Sequence, residues 1–115
     1  MTVKSIGNYS FCGCSSLTEV KISLSVKFIG SFAFSDCKSL KKISIPCSVH
    51  LIDHNAFKGC IKMENIEINP YKTNFENDSF SECALLNHFI FGSSVRSVKK
   101  YYFNRFGQIK KITIP

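Results

Sequence analysis

Phe11, Phe34, Phe57, Phe80 and Phe103 stand 23 residues apart without exception. A fixed period of this size constrains a fold more than any local propensity, because repeats of roughly 20–50 residues mark stacked arrays. Five further apolar columns keep the interval. Cys14, Cys37, Cys60 and Cys83 form one, with Phe106 in the fifth place. Leu17, Leu40, Met63, Leu86 and Ile109 form the next, and Val20, Ile43, Ile66, Phe89 and Ile112 another. Ile22, Ile45, Ile68, Phe91 and Ile114 follow two residues on, and Ile6, Ile29, Ile52, Phe75 and Val98 complete the set. The repeats are 3–25, 26–48, 49–71, 72–94 and 95–115, the last two residues short of a full unit. They make up a single domain over 1–115, since a chain of 115 residues has no room for two large cores.

The period changes within each unit. Around Ile29, Ala33, Phe34, Cys37 and Leu40 the spacing of three to five residues suits a short helical turn with one buried face. Ile43 and Ile45 are then two apart, which is strand spacing, and Pro46 ends the strand as Pro115 ends the last one. Gly7 and Gly30 mark a tight turn ahead of the helical segment. Asp53, Glu76 and Lys99 replace them later, so that turn does not require positive φ. A unit this small cannot bury its own apolar face. Stacking sets like over like, with strands about 4.8 Å apart in one parallel sheet and helical turns on the opposite face.

The pattern Leu40-x-x-Ile43-x-Ile45 fits a leucine-rich-repeat strand. The longer run Ile29-Gly-Ser-Phe-Ala-Phe-Ser-Asp-Cys37-Lys-Ser-Leu40-Lys-Lys-Ile43-Ser-Ile45-Pro46 resembles the BspA type of leucine-rich repeat in period, in the Ala-Phe pair and in the Cys. The resemblance covers essentially the whole chain. It implies an α/β repeat solenoid, a right-handed coil with one parallel sheet face and short helical turns opposite. It also implies a surface-associated, non-enzymatic module for adhesion or for binding a protein or glycoprotein ligand. The fourth and fifth repeats depart from the pattern, with Phe75, Phe89 and Phe91 for aliphatics and Tyr102 in the Ala column.

Six cysteines invite a disulfide or metal reading. Four share a column that accepts Phe106, so packing selects them and they read as buried free thiols. Cys12 and Cys47 lie outside the column and are expected to be exposed. Cys12-Gly-Cys14 puts one sulfur in the core column and one outside it, while His50, His54 and His88 occupy three different repeat positions. Neither arrangement is a zinc site. No nucleophile elbow, phosphate loop or paired carboxylate is present, so no catalytic residue and no cofactor is expected. Asp53-His54 reads as solvated surface. Asn8-Tyr-Ser10 and Asn77-Asp-Ser79 match the glycosylation sequon, but Ser10 and Ser79 stand in the small-residue column of Ala33 and Ala56.

The outward positions of the strands carry Glu19, Lys21 and Ser23, then Lys42 and Ser44, Asn65, Glu67 and Asn69, His88 and Ile90, and Lys111 and Thr113. They vary from repeat to repeat while the core columns stay apolar, which suits recognition by the sheet face. Ile90, apolar among polar neighbours, and His88 are the contact residues this pattern favours. Neither end of the chain carries a polar cap, so either the native protein is longer or the ends pair with another chain. Self-association through a terminal repeat near Tyr102 is the second expectation.

Charge supplies the third. The net charge is +7, and residues 95–115 alone carry +6 with no acid. Nonspecific anion binding follows as a reading, though Phe103 and Phe106 are core columns and nucleic acid is disfavoured as a partner. No run is long and apolar enough to cross a membrane. The first residues lack a signal-peptide core, which points to the cytoplasm, while the resemblance implies the cell surface.

Overall fold

A computed structural model of the chain describes residues 3–68, 73–76, 78–91 and 111–113. Eight short strands occur among them. β1 (Ser5–Ile6), β2 (Phe28–Ile29), β4 (Leu51–Ile52) and β6 (Asn74–Phe75) form one parallel sheet in that order. β3 (Lys42–Ser44), β5 (Asn65–Ile68), β7 (His88–Phe91) and β8 (Lys111–Thr113) form a second. Partners such as Ile43, Ile66, Phe89 and Ile112 are each one repeat apart. The sequence period is therefore the sheet register itself, and a slip would turn the buried columns outward.

Two expectations need correction. The first is the single sheet: a second one runs through Ile6, Ile29, Ile52 and Phe75. Its two-residue strands are too short for alternation to announce them. The second is the helical turns, because the described residues contain no α-helix. The arc after Gly30 is a chain of β-turns with two kinds of amide. Ala33, Ser35, Cys37 and Leu40 donate to the carbonyls of Gly30, Phe32, Phe34 and Cys37, each three residues back. Phe32, Phe34 and Asp36 donate instead to His54, Ala56 and Lys58 in the next coil. An α-helix would spend every amide inside its own segment. Here alternate amides tie neighbouring coils together.

Left-handed residues keep the arc from closing into a helix. Tyr9, Phe32 and Asn55 have φ near +60° in one column. Gly13, Asp36, Gly59 and Glu82 are also positive in another. For the non-glycine members this costs roughly 1–3 kcal/mol each, which the intercoil bonds and the burial offset. Gly30 serves a different need. A Cβ there would stand 2.7 Å from the Asn8 nitrogen and 2.9 Å from the Gly7 carbonyl carbon, so the first coil could not approach as it does.

The core is the set of columns. Phe11, Phe34, Phe57 and Phe80 stack with centroids 5.2, 5.2 and 5.1 Å apart and near-parallel rings. Cys37, Cys60 and Cys83 are buried, and each thiol donates to the carbonyl of a Phe in the preceding coil at 3.2–3.3 Å. The column thus takes a small apolar residue with one weak donor. Burial, reinforced by the neighbouring thiols, pushes Cys37 up to about 12. Cys60 is also raised, first by its hydrogen bond with Cys83 and then by burial.

The first coil departs from the columns. Phe11 is 44% exposed where Phe57 is fully buried, Cys14 is exposed, and Leu17 and Val20 are half-buried. Cys14 therefore does not share the buried state expected of its column. The segment around Val20–Ile22, expected as a strand, forms none, and β3 pairs only with β5. β1 of the same coil still pairs with β2, so the loss is confined to the Val20–Ile22 segment. Expectations for Tyr102, Phe103, Phe106 and the basic cluster fall outside the described residues.

Candidate functional site

Pleating decides which side chains leave the core. In β3, Lys42 and Ser44 are exposed and Ile43 is buried between them; in β5, Glu67 is exposed between buried Ile66 and Ile68. Register then gathers the outward residues into two rows. Lys42, Asn65, His88 and Lys111 hold one set of positions, and Ser44, Glu67, Ile90 and Thr113 the other. Glu19 and Lys21 are exposed on the irregular first coil beside β3. A shallow depression of about 420 Å³ connects the two, lined by Glu19, Val20, Lys42, Ser44, Glu67 and Ile90 among others. It places two carboxylates, an ammonium and an apolar side chain around one hollow. Ser23 is exposed as well, while Asn69 lies outside the described residues.

His88 is more constrained than the sequence suggests. Its Nδ1 lies 3.1 Å from Asn65 Oδ1 and its Nε2 2.8 Å from Thr113 Oγ1. In the neutral ring this network fits Nδ1–H donating to Asn65 and Nε2 accepting from the Thr113 hydroxyl. Both nitrogens serve to tie three strands together. Ile90, half-buried, is the apolar member of the second row.

Several features had no usable sequence signal. Phe28, half-exposed, points out of the smaller sheet and its ring lies 6.3 Å from that of His50. Asp53-His54 is not simply solvated. His54 Nδ1 lies 3.0 Å from Asp78 Oδ1 and its Nε2 3.8 Å from Glu76 Oε2, one coil on. The hydrogen bond to Asp78 is the main reason the imidazole is raised above its ordinary 6.5, with the charges of Asp78, Glu76 and Asp53 adding to it. Only the three-dimensional stack brings Asp78 there.

Chemistry beyond recognition is sparse. Among the described residues no group of three His, Cys, Asp or Glu could hold a metal ion. Cys12 and Cys47 are exposed, as their place outside the column implies. Asn8 is exposed, with its Oδ1 accepting from the Ser31 amide at 2.8 Å, and Ser10 beside it is exposed too. Ser79 of the other sequon is fully buried and donates to the Ile52 carbonyl at 3.1 Å, so packing explains it. No helix among the described residues is long and apolar enough to cross a membrane.

The sequence model of the BspA type leucine rich repeat region matches residues 3–115, in six copies. No curated protein matches the chain. Solved structures do. A leucine-rich repeat protein from Bacteroides ovatus is 34% identical, with a TM-score of 0.76 over 96% of this chain and 28% of its own. A leucine rich cell surface protein from Faecalibacterium prausnitzii is 26% identical, with a TM-score of 0.71 over 94% of this chain and 29% of its own. The leucine rich repeat protein of T. pallidum, at 22% identity and a TM-score of 0.66, shares the fold over 96% of this chain and 63% of its own. The chain therefore spans under a third of the length of the first two and under two thirds of the third.

Proposed function

The chain belongs to the BspA-type leucine-rich-repeat family, and from that premise we propose that it is a non-enzymatic binding module. Its outer face on β3, β5, β7 and β8 takes a protein or glycoprotein ligand at a cell surface. The observation that carries this reading is the division of labour along each strand. Ile43, Ile66 and Ile68 hold the core, while Lys42, Ser44, Asn65 and Glu67 take no part in it and form a continuous row with Ile90 and Thr113. Such positions can change at little cost to the fold. Glu19, Lys42 and Glu67 supply charges of both signs around Ile90, which favours a partner with a mixed polar surface and one apolar contact over a simple polyanion. The cell-surface relative supports the location.

The test is a binding panel of cell-surface glycoproteins, their deglycosylated forms, heparin and duplex DNA, each run at two salt concentrations. Saturable binding to a protein ligand, lost in Ile90→Asp and Glu67→Lys but kept in Lys62→Glu on the turn side, is the expected result. Binding confined to polyanions, steeply salt-dependent and indifferent to Ile90, would replace the reading with nonspecific attraction to the basic end.

A further inference from the structure

The two sheets turn faces of different chemistry to solvent. Acids and bases are mixed on the larger one, whereas the smaller one is basic and apolar. Lys4, Lys27 and His50 stand one repeat apart just ahead of its strands, and all three are exposed. Backbone bonds set them in line: the Lys27 amide donates to the Lys4 carbonyl and the His50 amide to that of Lys27, each at 2.7 Å. The row therefore runs along the stack axis in steps of about 4.8 Å. Beside it Ser5, Phe28 and Leu51 pair in register, with Phe28 half-exposed and Leu51 half-buried. The His50 ring, 6.3 Å from that of Phe28, joins the two rows. Phe28 has a paired strand on either side, so its exposure belongs to the face and not to an end of the stack.

The core makes no use of Phe28, because Ile29 and Ile52 fill it from the alternate positions. No carboxylate stands in either row. Asp53 and Glu76, two residues past the strands' outward positions, are engaged at the corner. Asp53 Oδ1 accepts from the His54 amide at 2.7 Å, and Glu76 Oε2 lies 3.8 Å from His54 Nε2. Neither Lys4 nor Lys27 forms an ion pair among the described residues. Both ammonium groups are thus open to an outside anion, beside an apolar strip.

We propose that this face is a second binding site, separate from the one on the larger sheet, and that its ligand is a linear polysaccharide of uronic acid rings. Cations repeated in a straight line match a polymer with one carboxylate on every ring, and one ring is about as long as the strand spacing. Each ring also has an apolar C–H face, which rests on Phe28 and Leu51 while its carboxylate meets Lys4 or Lys27. His50, with an N–H in either tautomer, donates to a hydroxyl or a carboxylate of the next ring. An extended acidic peptide fits less well. Its side chains alternate between two faces, so carboxylates on one side recur at about 6.6 Å, out of step with the row.

Isothermal titration of the full chain with polygalacturonate oligomers tests the proposal, with the methyl-esterified polymer and poly-glutamate as the other arms. Saturable binding is expected, and none to the methyl ester, whose carboxylates are capped. Phe28→Ala and Lys27→Glu should each weaken binding roughly tenfold. Lys27→Arg should keep it, and Ile90→Asp on the larger sheet should leave it unchanged. Both altered positions are exposed, and circular dichroism melts verify that the variants fold. Poly-glutamate binding with the same dependence on Phe28 would make the partner an acidic protein segment and overturn the proposal. Polygalacturonate binding indifferent to both variants, which is attraction to the basic end, or no binding at all, would overturn it too. Ile90→Asp and Glu67→Lys report on the other face, so failure here leaves the reading of that face standing.

Discussion

The coil at 49–68 and the coil at 3–25 carry the same sequence pattern and differ in one circumstance, the number of neighbours. In the first, Phe57 lies between Phe34 and Phe80, Cys60 bonds to the Phe34 carbonyl, and Asn65–Ile68 is a strand paired on both sides. In the second, Phe11 stacks on one side, Cys14 is exposed and no strand forms around Val20. The contrast shows that the repeat does not hold its own conformation. Strand, buried thiol and packed ring are properties of the interface between two coils, which is the behaviour of a nearest-neighbour array.

The largest expected break in that contrast comes from the Phe column. Phe57→Ala should cost about 3–5 kcal/mol in a urea melt, and Phe11→Ala about 1 kcal/mol, because only part of its ring leaves water. Equal losses would mean the first coil is as well supported as the third. Thiol chemistry sharpens the same point. Cys12, Cys14 and Cys47 should react with iodoacetamide roughly a hundredfold faster than Cys37, Cys60 and Cys83, as read by mass spectrometry of native protein. With Cys37 at about 12, only about one in a thousand of its thiols is ionised at pH 9, so its labelling there should remain far slower than that of an exposed thiol.

Smaller effects concern the turns. Asp36 holds φ +59° in a column where Gly13 and Gly59 are at +78° and +76°. Asp36→Gly should therefore stabilise by up to about 1 kcal/mol, against the usual cost of adding glycine. The smallest effect belongs to His54. Its folded value lies above 6.5, so the tie to Asp78 stabilises fully below that pH and is lost as pH rises through the folded value. The wild-type Tm should fall slightly from pH 6 to pH 8 relative to Asp78→Asn, and parallel profiles would remove His54 from the account.

Much of this architecture was legible as a period. The columns, their inward direction and the outward rows from Lys42 to Thr113 follow from strict spacing alone. The arcs were not, because spacings of three and four residues serve a helix and a run of β-turns equally well. The left-handed positions that decide between them are filled by Tyr9, Phe32, Asp36, Asn55 and Glu82, which carry no glycine signature. The second sheet escaped notice because Phe28–Ile29 and Leu51–Ile52 are two residues long. The ties of His88 to Asn65 and Thr113, and of His54 to Asp78, join residues one repeat apart whose side chains meet only after stacking.

The central claim, that a coil's structure is supplied by its neighbours, is tested most directly by hydrogen exchange on dilute, monomeric chain. Amides of Phe11, Phe34 and Phe57 make the same intercoil bond, at 2.7 Å each, to Ala33, Ala56 and Ser79. Geometry alone would protect them equally. If neighbours supply the stability, Phe11 should exchange at least about tenfold faster than Phe57, with Phe34 no faster than Phe11. Equal protection at all three would contradict the claim.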